Sequence, residues 1–219
     1  MCWSSTADLV AGGAVAVVGA AALPRVRRIG ELPLAALPLL LGLHQLTEAV
    51  VWLGAEGGTG PAEAAAARML WAAIAYPVLP LYLPLAVLAA AAPARRPALL
   101  VFVLVGALTS AALAWDLAHA APDARIAGHT LRYGVGVGRP LLVGAGYLLA
   151  TVGALLASGQ RGIRLLGVVT GVGALLCLLL WQAAFVSTWC ALAAVSSVLV
   201  LRWVSGLRRN GDPGVDPGG

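Results

Sequence analysis

Lysine is absent, and all 14 basic residues are arginine. Without a lysine amine no Schiff base to retinal or pyridoxal phosphate can form. A seven-helix retinal protein is thereby excluded. Charge of either sign is scarce: 11% of the 219 residues are charged, against 61% that are hydrophobic. A soluble domain carries about 25% charged and about 45–50% apolar residues, so this balance belongs to the membrane class. Cysteine is rare as well, with only Cys2, Cys177 and Cys190 and no CxxC. Thioredoxin-like chemistry, zinc ribbons and c-type haem attachment therefore lack a motif. Walker, Rossmann, GxSxG and HExxH patterns are also missing, which leaves nucleotide binding and the common hydrolase chemistries without support. The net charge of +5 does not suggest nucleic acid, because the arginines sit in short clusters between apolar runs. The partners expected instead are the lipid bilayer and a small ligand or ion.

What the chain has is apolar runs. A hydrocarbon core of about 30 Å needs roughly 20 apolar residues in a helix. Seven spans meet that rule, at about Ala7–Leu23, Leu32–Leu53, Ala65–Ala92, Pro97–Trp115, Pro140–Ala157, Leu165–Phe185 and Thr188–Val204. The fold expected is an all-α, polytopic integral membrane helix bundle over residues 1–209. The last two spans meet at Val186 and Ser187 and should form a helical hairpin. The Gly/Pro/Asp-rich tail 210–219 should be disordered. Arg25, Arg27, Arg28, Arg95, Arg96, Arg161, Arg164, Arg202, Arg208 and Arg209 fall on one side of the alternating spans. Only Arg68, Arg125, Arg132 and Arg139 fall on the other. The positive-inside rule then places the N-terminus outside and the C-terminus in the cytoplasm. The opening MCWSSTAD has no basic residue before its apolar run and reads as a retained reverse anchor. The abundance of Ala, Gly, Arg and Val suits a GC-rich bacterial genome, and the location expected is the bacterial cytoplasmic membrane. The outer segment 119–139 is the longest connection and reads as a loop with a functional or lid role.

Within the second span, LLLGLHQLTEAVVWLG, stand His44, Gln45 and Glu48. His44 and Glu48 are four residues apart and share a helix face. At 1.5 Å per residue they lie about 18 Å and about 24 Å into the span, past its middle. An ionisable group at that depth costs at least about 2.5–3.5 kcal/mol unless it is neutral or paired. The two should therefore face each other and the bundle interior, either as a helix-pinning hydrogen bond or as a proton or metal site. His-x3-Glu can supply two ligands to one metal, with zinc or copper the candidates. Cys2, Cys190 and His129 are candidate further ligands on the same side, and Cys2 with Cys190 could equally form a disulfide.

Other polar groups converge on that half: Trp52, Trp71, Tyr76, Trp115, Asp116, Tyr133, Gln182 and Trp189. The aromatic belt is the plain role for Trp52, Trp71 and Trp115, and a solvated loop position is the plain role for His129. Cys177 reads as an inert small hydrophobe. Pro77, Pro80 and Pro84 should kink the third span and free carbonyls. Gly144, Gly146 and Gly153, with the Gly167–Gly171 GxxxG, mark close helix contacts.

The opening MCWSSTADLVAGG and the stretch ELPLAALPLLLGLHQLTEAVVWLG, with the Trp189–Cys190 pair, resemble an uncharacterised family of bacterial multi-pass membrane proteins. Its members begin Met-Cys-Phe-Ser and carry a His-Gln-x-x-Glu block in the second span. Trp3 stands where Phe is usual and Ala49 where Gly is usual. The resemblance implies an architecture and no activity, and its motif positions correspond to Cys2, His44, Gln45, Glu48, Trp52 and Cys190.

Three functions fit. The first is a membrane protein with a metal- or proton-binding site in the outer half, built on His44 and Glu48. The second is a small-molecule or ion transporter that uses the pair as a proton relay. The third is an accessory protein whose polar cluster locks helices together. The sparse polar content of the cytoplasmic halves argues against a path through the bundle. Whether the protein is an enzyme stays open.

Overall fold

The computed structural model describes residues 4–128, 130–179 and 185–209, with the side chains of 177–191 and 207–209 outside that description. Seven helices and one β-hairpin make up the described chain. They are α1 (Ser5–Ala22), α2 (Leu32–Ala55), α3 (Pro61–Ala90) and α4 (Arg96–His119), then β1 (Asp123–Ala127) and β2 (Thr130–Gly134), then α5 (Pro140–Ala157), α6 (Arg161–Leu179) and α7 (Phe185–Arg209). Among the described residues, five stretches are long and apolar enough to cross a membrane: Ser5–Arg25, Ile29–Ala55, Pro61–Ala90, Pro93–His119 and Pro140–Ala157. The molecule is an all-α bundle of the membrane class with one small hairpin at one end.

The tightest pair is α1 with α2. The buried positions of α1 are Asp8, Gly12, Val15, Gly19 and Ala22, one stripe at helical spacing. A Cβ at Gly12 would come 2.9 Å from the backbone nitrogen of Leu46, one at Gly19 2.6 Å from that of Leu39, and one at Gly42 2.8 Å from that of Ala16. Small residues let the two backbones touch, which is how membrane helices gain packing where lipid and side chains are equally apolar. The glycines of the later helices act similarly. Gly146 lies against Thr109, Gly153 against Phe102, Gly167 against Leu155 and Gly171 against Val152, whereas Gly144 meets nothing.

The prolines of α3 do not split it. A π-turn over Ile74–Val78 absorbs the irregularity and the helix runs on. In that register the carbonyl of Ala75 would look to the amide of residue 80, which is a proline, so it accepts the Tyr147 hydroxyl instead at 2.8 Å. Ser110 Oγ donates to the Pro77 carbonyl at 2.6 Å. The Pro80 carbonyl, freed by Pro84, packs on Gly106 of α4. Helix α5 carries a matching π-turn at Leu149–Gly153. The Tyr147 and Ser110 hydroxyls thus satisfy two of the freed backbone carbonyls.

Connectivity gathers ten of the arginines at one end, here the arginine end. Gly159 lies against Arg95 there, and the 3₁₀ turns Leu23–Arg25, Ile29–Glu31 and Pro93–Arg95 close the helix connections. An apolar core that includes Leu34, Leu83, Val87, Leu99, Leu155 and Val204 fills this half.

Two expectations are corrected. Segment 119–139 is not a plain loop: Asp123–Gly134 form an antiparallel hairpin in which Ala124 pairs with Tyr133 and Ile126 with Leu131. Alternating Ala124/Ile126 and Leu131/Tyr133 give it a period of two, short but sufficient once it docks on helices. Val186 and Ser187 are not a join but lie inside α7. No glycine or proline marks a boundary in that apolar stretch, so hydropathy alone misplaced it. The tail 210–219 lies outside the described residues.

Candidate functional site

Opposite the arginine end, α1, α2 and α3 converge beneath the hairpin. Helix α1 starts on a Ser4 cap, whose Oγ accepts from the Ala7 amide at 3.2 Å. The cap sets the phase that turns Asp8 inward on the Gly12–Gly19 stripe, where Asp8 is fully buried. Helix α2 presents His44, Gln45, Glu48 and Trp52, all less than a tenth exposed. Helix α3 adds Trp71 and Tyr76.

The aromatic groups form a stack. Trp71 lies parallel to Tyr133 with ring centres 3.5 Å apart, and His44 stacks nearby at 5.0 Å. Tyr76 meets Trp71 edge-on at 6.3 Å. Tyr133 reaches down from β2 and donates its hydroxyl to Glu48 Oε1 at 3.3 Å. Burial, and secondarily the nearby Glu48 carboxyl, push the Tyr133 phenol well above its ordinary range, so it remains a hydrogen-bond donor. Leu131 and Tyr133 pack with Val51, Trp52, Ala67 and Trp71 in a small apolar cluster that fixes the hairpin. Burying one leucine stabilises by about 1.5–3 kcal/mol, and a two-stranded hairpin alone is marginal. Docking on the helices is what holds this one.

The electrostatics are unusual. Asp8 lies beside the Trp52 indole and Glu48, and Glu48 lies beside the Trp71 indole, yet neither Asp8 oxygen makes a hydrogen bond of normal geometry with a described residue. His44 Nε2, both Gln45 amide atoms, Trp52 Nε1, Thr59 Oγ1 and Trp71 Nε1 are likewise buried without a hydrogen bond of normal geometry among the described residues. Buried polar groups in folded proteins are nearly always satisfied, and each exception costs about 1–3 kcal/mol. Eight such atoms at one end, with donors and acceptors mixed, set this cluster apart among the described residues.

A family model now supplies the wider context: the family of unknown function DUF6629 matches residues 1–214. The chain belongs to this family. No curated protein and no solved structure matches it. It is a membrane protein of unassigned activity, and its chemistry has to be read from the cluster.

Of the residues singled out from sequence, the structure brings His44, Gln45, Glu48, Trp52 and Tyr76 together. Three corrections apply. His44 and Glu48 share no hydrogen bond among the described residues, because His44 stacks on Trp71 and Glu48 turns to Tyr133. Trp52 and Trp71 are not belt residues: Trp52 is 3% exposed and both indole nitrogens are buried, whereas Trp115 is 68% exposed as a belt residue would be. Asp116 serves the backbone instead, its Oδ2 accepting the Gly138 amide at 2.9 Å. Cys2, His129 and Gln182 lie outside the described residues, as do the side chains of Cys177, Trp189 and Cys190. Among the described residues no three His, Cys, Asp or Glu side chains are placed to share a metal ion.

Sequence reasoning missed Asp8, which fell inside the first span, Ala7–Leu23, without being singled out. The available signal was its place on the 8–12–15–19–22 stripe.

Proposed function

We propose that the protein is a multi-pass protein of the bacterial cytoplasmic membrane whose hairpin-end cluster binds and releases a proton on the outer side. Asp8 and Glu48 are the proton-carrying groups, and His44 is the base beside them. The observation that carries this reading is the pair of carboxyl groups, Asp8 and Glu48, buried side by side. Two carboxyl groups buried side by side cannot both ionise cheaply, and taking up a proton relieves them. The arginine distribution supports an outward-facing cluster. The apolar core around Leu34, Leu83 and Leu155 supports exchange with one side and speaks against a path through the bundle.

Infrared titration of the purified protein tests the reading. A protonated-carboxyl band that changes with pH, and that shrinks in Asp8→Asn and in Glu48→Gln, is expected. A band that both variants leave unchanged would refute proton binding at these groups.

A second reading, a zinc or copper site, rests on the placement of Cys2, His129 and Cys190 on the same side by the span order. It needs one of them to join His44 and Glu48. Metal analysis of the wild type beside His44→Ala decides it: near one ion per chain, lost in the variant, would establish a metal site.

A further inference from the structure

The hairpin is more than an ornament of the long connection. Its inward side chains, Ala124, Leu131 and Tyr133, pack on the apolar cluster, and two outward ones, Asp123 and Arg125, form an ion pair with each other at 2.6 Å. Tyr133 makes both closing contacts, the stack on Trp71 and the hydrogen bond to Glu48. The strand ends at Gly134 and is followed by Gly136 and Gly138, and then by Arg139, which caps α5 with a left-handed backbone at φ 52°. That conformation is costly for a residue with a Cβ. One exposed clasp, Gly138 N–H on Asp116 Oδ2, holds this strained junction. A small docked element on a glycine-rich, strained connection is the anatomy of a segment that opens at low cost.

We propose that the β1–β2 hairpin is a lid over the Asp8–His44–Glu48 site, with Tyr133 as its latch, and that the site exchanges protons with the aqueous phase only when this lid lifts. The inference rests on the reading of the cluster as a proton site and adds its route of access. The Trp71–Tyr133 stack and the Glu48 hydrogen bond break together when the lid opens. Glu48 then meets water, and Asp8, which the Gly12–Leu46 and Gly19–Leu39 contacts set level with the turn after Glu48, is uncovered beside it.

The test uses the full chain with its three cysteines replaced by serine. Ala67→Cys and Leu131→Cys, which share the apolar cluster under the lid, are joined by a short thiol cross-linker. Modification of Glu48 by a water-soluble carbodiimide is then followed by mass spectrometry. If access needs an open state populated at about 0.1–10%, cross-linking should slow modification at least about tenfold, and Tyr133→Phe should speed it several-fold. An unchanged rate in the cross-linked protein overturns the lid. So does failure of the two cysteines to cross-link although each reacts singly, since the hairpin would then not be docked. A slowed rate without any infrared carboxyl titration would keep the lid and refute the proton site. A titration with a rate indifferent to the cross-link would do the reverse.

Discussion

The two ends of the bundle treat the same side-chain chemistry in opposite ways. At the arginine end, Trp203 Nε1 donates to Gln160 Oε1 at 2.9 Å, and Gln160 Nε2 donates to the Ala90 carbonyl at 2.9 Å. Glu31 accepts the amides of Arg27 and Arg28 at 3.2 and 3.3 Å, and the Tyr82 hydroxyl donates to the Pro33 carbonyl. At the hairpin end the side-chain nitrogens and oxygens of two tryptophans, one glutamine and one aspartate are buried without a hydrogen bond of normal geometry among the described residues. A polar group kept for structure is matched with its complement, because an unmatched one weakens the fold. On the proposed reading, groups left unmatched in one place serve the exchange of a proton and not the stability of the fold.

The comparison can be broken most violently at the α1–α2 contact that both ends share. Gly19→Leu drives a side chain into the Leu39 backbone and should lower stability by about 1–3 kcal/mol or more, read as reduced thermal stability in detergent. Whatever folds should keep its carboxyl titration, because Gly19 lies in the arginine half. Gly12→Leu strikes Leu46 and the Gln45 side chain. It should lose stability by a similar amount and lose the titration with it. If both variants behave alike in the infrared, Asp8 is not positioned by this contact.

Next in size is the arginine-end lock. Gln160→Ala leaves the Ala90 carbonyl and Trp203 Nε1 without partners and should cost about 1–3 kcal/mol, visible as an earlier thermal transition with no change in the carboxyl band. Smaller again is Tyr133→Phe. It removes one long hydrogen bond while keeping the ring stack, and should cost about 0.5–1.5 kcal/mol. Its main effect should appear in the access of reagents to Glu48.

How far the sequence could be read follows from the same contrast. The seven helices were legible because membrane spans are long, and hydropathy sums over many residues. His44, Gln45 and Glu48 were legible because a polar residue inside an oily run stands out against it. Asp8 was not, since it lies one turn from the helix start, where a polar residue is ordinary. Trp71 and Tyr133 were noticed, but their stacking depends on a hairpin of five-residue strands, too short for periodicity to separate from a loop. Gln160 was missed altogether. It sits between helices in an exposed-looking SGQRG stretch, and only the approach of α3 and α7 gives it a task.

The most direct test is to remove an orphan and watch the fold. Gln45→Leu replaces a buried amide that lacks partners with an apolar side chain of similar size. Thermal unfolding of this variant should occur at or above the temperature of the wild type, while Gln160→Ala unfolds earlier under the same conditions. A Gln45→Leu protein that loses as much stability as Gln160→Ala would mean that the hairpin-end groups are structural after all, and would contradict the account.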